Sequence, residues 1–195
     1  MNMKSKVMRI TIPAIMAALS ILLELISGKT GWAKFTIHGI PLMFTGIMFG
    51  PLTGLTTGFV TGLLVQLNYP FSIASPFYAI SYVMWALIPG LLSKLFKNKN
   101  SVFLIILSAI FAAIFANLAN TGAMMIDALF VDGSYFTVAA ILTKWSARII
   151  TMIFMFAPNI FLLERSINAL FPLAIGEEIR LTDFTHLQIP EINKL

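Results

Sequence analysis

Apolar runs of bilayer length follow one another along almost the whole chain, and this leaves few folds open. Ile10 to Ser27, Leu52 to Leu67, Ser75 to Leu95, Val102 to Ile126 and Tyr135 to Leu163 each carry few or no charges. A bilayer-crossing helix needs about 20 mostly apolar residues. Only 11% of the 195 residues are charged and 58% are hydrophobic, where a soluble domain carries about a quarter charged. A core of this size cannot enclose so much apolar surface, so lipid must serve as part of the solvent.

Thr36 to Phe49 adds a sixth, weaker segment, short and interrupted by Gly39, Pro41 and Gly46. It reads as a short second span, or with the third as one re-entrant hairpin. Gly50-Pro51 and Asn68-Tyr69-Pro70 are turn signals. Pro89-Gly90 is expected to break the fourth span near its end, Lys97 to Asn100 to form a polar loop, and Asp127 to Ser134 another. The expected fold is all-α: a bundle of six transmembrane helices over residues 1–175, then a polar, acidic tail over 176–195. The first apolar run continues into a full span without a small-residue cleavage site, so no cleavable signal peptide is expected.

Basic residues orient the bundle. With both termini in the cytoplasm, Lys4, Lys6, Arg9, Lys94, Lys97, Lys99, Arg165, Arg180 and Lys194 lie inside. Lys29 and Lys34 lie outside, and Lys144 and Arg148 fall within the last span. Nine against two is the bias expected of cytoplasmic loops. The net charge of +5 therefore reflects topology and does not point to nucleic acid.

Glycine recurs every fourth residue at Gly46, Gly50, Gly54, Gly58 and Gly62. Small residues at this spacing let helix backbones approach closely. Packing inside the bundle is the first expectation, a partner surface the second. Ala14 and Ala18, with Ala17 beside them, repeat the spacing on the first span.

Charge at membrane depth is costly and marks function or a buried pair. Glu24 is near the outer end of the first span, and Lys144 and Arg148 share one face of the last. Lys144 sits roughly 12 Å from the outer end. One carboxylate cannot neutralise two cations. The surplus charge either binds an anionic ligand group, or Lys144 snorkels outward while Arg148 pairs with Glu24. Trp32, His38, Asn68, Tyr78, Tyr82 and Trp145 gather toward the same end. Interfacial belts use such aromatics, and so do small-molecule pockets. Asn117 and Asn120 in the fifth span need hydrogen-bond partners if buried.

There is no GxxxxGK[ST], HExxH or GxSxG motif, no cysteine, and only two histidines, His38 and His186. Catalysis, a resident metal, any other cofactor and ATP hydrolysis by this chain are not expected.

Lys34-Phe-Thr-Ile-His-Gly-Ile-Pro41 followed by Gly46-Ile-Met-Phe-Gly-Pro51 resembles the second-span signature of the substrate-binding S components of energy-coupling factor (ECF) vitamin transporters. Ala14 and Ala18 match the first-span motif by which these proteins dock on a transmembrane coupling subunit. The similarity covers about residues 8 to 170 and is strongest to the folate-type branch, which includes pantothenate and hydroxymethylpyrimidine binders. It implies a multi-pass protein of a prokaryotic cell membrane. Such a protein captures a water-soluble vitamin outside, then topples to release it inside, driven by the coupling subunit and two ATPases. It implies that Gly28 to Phe35 gates the site, with Lys29, Trp32 and Lys34 as contacts, and that Ala14, Ala17 and Ala18 dock the partner. The surplus cation at Lys144 and Arg148 favours folate or pantothenate over neutral hydroxymethylpyrimidine. A self-contained small transporter and a ligand-free scaffold subunit are the alternatives.

Overall fold

A computed structural model describes residues 3–27, 36–69, 73–95, 101–132 and 156–167. Every regular element among these residues is helical. In chain order they are α1 (Met3–Ile26), a 3-10 turn (Thr36–His38), α2 (Gly39–Phe49), α3 (Pro51–Gln66), α4 (Ser75–Leu95), α5 (Ser101–Asp127) and a π-helical turn (Ala128–Asp132). The segment 156–167 is also helical. Val7–Ile26, Ser75–Leu95 and Phe103–Phe130 are each long and apolar enough to cross a bilayer, and Gly39–Phe49 is a shorter apolar helix.

Several boundaries differ from those expected. α1 begins at Met3, so the basic N-terminal stretch is already helical. Lys and Arg are good helix formers, and nothing before Pro13 interrupts the run. Helical structure also continues through Asp127 to Asp132, where a polar loop was expected. One aspartate is too weak a stop signal when Ala128, Leu129, Phe130 and Val131 follow it. The segment 156–167 runs four residues past the expected end at Leu163, and most of the expected last span lies outside the described residues.

Pro89-Gly90 does not break α4, which runs unbroken to Leu95. Pro89 cannot donate to the Trp85 carbonyl. Both Pro89 and Gly90 are nevertheless buried, and the Gly50-Pro51 turn packs directly on Gly90. Packing against the neighbouring turn holds the helix through a residue that would end it in isolation.

The glycine repeat is internal. A Cβ on Gly54 would lie 2.7 Å from the Ala86 carbonyl oxygen, on Gly58 2.7 Å from the Tyr82 oxygen, and on Gly62 2.7 Å from the Cα of Ala79. α3 therefore lies antiparallel on α4 at a separation that only glycine permits, as close packing in lipid requires. Gly46 brings α2 onto the same turn of α4, where a Cβ would overlap the Ala86 carbonyl. Gly50 has another role: its φ of 86° lies in the left-handed region that favours glycine, and it turns the chain from α2 into α3. Pro51 then opens α3 at a position where no N–H is needed.

α2 is the most enclosed element. All eight residues from Gly39 to Gly46 are buried, and Leu42, Met43 and Phe44 are fully so. This explains its sequence, which is apolar all round and has no polar stripe. Ile10, Leu52, Phe59, Leu95 and Phe111 instead project outward from α1, α3, α4 and α5, the surface that lipid covers. Several hydroxyls in the helices bond back to their own backbone, as in Thr45 Oγ1 to the Pro41 carbonyl at 2.8 Å and Thr57 Oγ1 to the Thr53 carbonyl at 2.8 Å. Hydrocarbon supplies no other partner.

Candidate ligand-binding site

The buried face of α1 runs through Pro13, Met16, Ala17, Ser20 and Glu24. These steps of three and four residues form one inward stripe. The stripe becomes polar as α1 ends, and there it meets the start of α2. Ser20 Oγ donates to the His38 backbone carbonyl at 2.7 Å. His38 Nδ1 lies 2.8 Å from Glu24 Oε2. The pair has the separation of an ion pair without the alignment of a hydrogen bond, and carries both charges when the imidazole is doubly protonated. Ser20, Glu24 and His38 thus join the two ends of the connection between α1 and α2.

α4 closes the cluster. Tyr82, brought near by the Gly58 contact, donates a hydrogen bond from its hydroxyl to the Glu24 carboxylate, and Tyr69 lies close enough to interact with the same phenol. The His38 ring is 5.2 Å from that of Tyr82, tilted by 45°, and 6.3 Å from that of Trp85 in an edge-to-face arrangement. The indole fills the space beside Gly39, where a Cβ would come within 2.8 Å of its ring carbons. Glu24 is 6% exposed, His38 8%, Tyr82 7% and Trp85 6%. A buried carboxylate is tolerated only with partners, and here the 3-10 turn and α4 supply them through His38 and Tyr82. The result is a buried carboxylate walled by flat rings.

Of the residues expected from the sequence, His38 and Tyr82 meet here. Tyr78 is half-buried one turn away on α4. Asn68 is exposed beyond α3, and its amide donates to the Leu64 and Val65 carbonyls at 3.3 and 3.4 Å. Asn117 and Asn120 are half-buried on α5, and the Asn117 amide donates to the Ala113 carbonyl of its own helix at 2.9 Å. Lys29, Trp32, Lys34, Lys144, Trp145 and Arg148 lie outside the described residues. Ala14 and Ala18 stand on the exposed face of α1, whereas Ala17 turns inward and is buried. One residue step rotates a helix position by about 100°, which removes Ala17 from the face its neighbours share.

Sequence reasoning missed Ser20 and Trp85 as members of the cluster and treated Glu24 only as a counter-ion. Ser20 carried a usable signal, since it lies one helical turn before the single span carboxylate. Trp85 carried none, because its place depends on the missing side chain at Gly39. Among the described residues no three His, Asp or Glu side chains converge to hold a metal.

A chain whose described residues are all helical, with three helices of bilayer length and apolar composition, is a helical membrane protein. The chain belongs to the ECF transporter, substrate-specific component family, whose model matches residues 8–174. It is thus a substrate-binding transport component of an ECF importer and not an enzyme, and it works with an ECF module in the membrane. No curated protein and no solved structure matches the chain.

Proposed function

We propose that this chain captures an anionic water-soluble vitamin, folate or pantothenate, at the extracellular end of a six-crossing bundle with both termini in the cytoplasm. The reading starts from family membership. The observation that carries the ligand's charge is the imbalance between Glu24 and the two cations of the last span. Glu24 already serves Tyr82 and His38, and a single carboxylate does not neutralise both Lys144 and Arg148. A cation held at membrane depth is costly, and an anionic ligand group offsets that cost on binding. Lys29, Trp32 and Lys34 complete the contacts from the connection after α1. Ala14 and Ala18 present the small-residue face to the coupling subunit of the ECF module in the plasma membrane.

Mass spectrometry of small molecules that co-purify with the solubilised protein tests binding and names the ligand together. The expected mass is that of a folate or of pantothenate. Arg148→Met is expected to weaken that binding at least tenfold. Unchanged affinity in a variant that folds, or a neutral co-purifying ligand, refutes the anionic reading.

A further inference from the structure

α5 is longer than the bilayer it crosses. Its apolar stretch Phe103–Phe130 has 28 residues, or about 42 Å of helix, against a hydrocarbon thickness of about 30 Å. Its neighbour α4 has 21 residues and spans about 31 Å. Residues 96–100 connect the two, and helices joined so shortly run antiparallel. Counted from that connection, α4 runs out near Gly122 of α5. A Cβ on Gly122 would meet nothing within 4 Å, as expected where the neighbour stops. The rest of α5 and its π-helical turn, Ala128–Asp132, continue past α4 at the end of the bundle where Tyr82 meets Glu24.

The exposed side of the helix tells what surrounds this tip. Phe103, Ile110, Ile114, Leu118 and Met125 follow at steps of four and seven residues and share one face. They are 37–48% exposed and belong to the surface that lipid covers. Leu129 continues the same face, but it is 70% exposed, and Phe130 beside it 68%. Ala123 and Ala128 are buried, so the tip is covered on one side and open on the other. To keep the whole stretch within hydrocarbon, α5 would have to tilt by about 45°, steeper than the roughly 0–40° at which such helices stand. At a modest tilt it overruns the hydrocarbon by roughly 10 Å, which fits the about 40–45 Å that includes both headgroup layers. Phe and Leu at that depth insert at the boundary between headgroups and acyl chains. We infer that Leu129 and Phe130, at the tip of α5, are an interfacial anchor held in the lipid headgroup layer at the Glu24 end of the bundle. The anchor is continuous with the lipid-facing side of α5. It fixes how deep the bundle rides in the membrane, and with it the depth of the Glu24 cluster.

The test is a depth measurement on the full chain in lipid nanodiscs. The chain has no cysteine, so Phe130→Cys and Leu118→Cys each accept a single nitroxide label. Collisions with oxygen, which concentrates in hydrocarbon, and with a water-soluble nickel chelate give the depth of each label. The label at position 130 is expected in the headgroup layer, about 5–7 Å thick, where both reagents reach it. The label at position 118, three turns earlier on the same helix, is expected about 18 Å deeper, where oxygen alone reaches it. Leu129→Cys gives the same reading if Phe130→Cys does not fold. A tip label as open to nickel as free label in buffer places the tip in water and overturns the inference. A tip label that oxygen alone reaches places it in hydrocarbon and overturns the interfacial position. A tip label that neither reagent reaches shows protein over the tip, from this chain or a second copy, and overturns lipid as its partner.

Discussion

Replacing Gly62 by alanine tests how α3 and α4 are held together. The added Cβ would lie 2.7 Å from both the Cα and the carbonyl oxygen of Ala79, and 2.8 Å from its Cβ. Carbon atoms rest at about 3.5–4.0 Å, so the helices must part by roughly 1 Å. All three atoms belong to the backbone or to its first side-chain carbon, so no rotamer change relieves the clash. Overpacking of this kind costs about 1–3 kcal/mol. Gly58→Ala meets Tyr82 oxygen and Val83 Cα, each at 2.7 Å, and should cost a similar amount. The double variant should cost less than the sum, because the separation forced by one methyl accommodates the other. Gly122→Ala is the control: nothing lies within 4 Å of its Cβ among the described residues. There alanine should be neutral or stabilise α5 by about 0.5–1 kcal/mol through helix propensity. The assay is thermal unfolding of the purified protein in one detergent, followed by tryptophan fluorescence. Gly62→Ala and Gly58→Ala should melt lower than the parent, and Gly122→Ala no lower. Equal melting of all three single variants refutes the glycine contact as the determinant of helix separation.

Other perturbations bear on single contacts. Thr61 is fully buried and its hydroxyl has no partner among the described residues, so the isosteric Thr61→Val should raise the melting temperature, with a gain of about 1 kcal/mol. Ser20→Ala removes the bond to the His38 carbonyl and should lower stability by about 1 kcal/mol in the same melting assay. Tyr82→Phe deletes the hydroxyl that serves Glu24 and should destabilise the protein by about 1.5–3 kcal/mol, as for hydrogen bonds to charged groups. Under the proposed docking role, Ala18→Leu should abolish ATP-driven uptake in reconstituted liposomes while leaving ligand affinity in detergent unchanged. Retained uptake would remove α1's small-residue face as the docking surface.

The parts of the fold legible in the sequence are those that answer to lipid. The fourth span was read at Ser75 to Leu95 and is found there, because turn residues precede it and a charged run follows it. The Gly50-Pro51 turn was equally plain, since few sequences other than glycine then proline can make that junction. What stayed hidden depends on neighbours. Pro89 reads as a helix breaker until the Gly50-Pro51 turn is seen packed on Gly90. The glycine repeat announces a close contact but does not name α4 as its partner. At the site, His38 and Tyr82 were found as polar aromatics near one end of the bundle. Their convergence on Glu24 joins three separate elements, and periodicity within any one of them cannot reveal it. The Asn117 amide donates to the Ala113 carbonyl one turn earlier on its own helix, a bond that an amide in an apolar run does not announce in the sequence.

The brevity of α2 bears on how the protein is made. Its 11 residues reach ~16 Å, about half of a bilayer's hydrocarbon thickness. Lipid alone cannot retain such a helix as an independent crossing, so it has to enter joined to α3 through the Gly50-Pro51 turn. Gly39 and Gly46 are covered by Trp85 and Ala86 of α4, so the enclosure of α2 is complete only once the fourth helix has arrived. Biogenesis therefore has an order, with α2 a passenger until the third and fourth helices are in place. A ribosome paused before residue 95 should leave that segment accessible to modification from water, and release of the pause should close it.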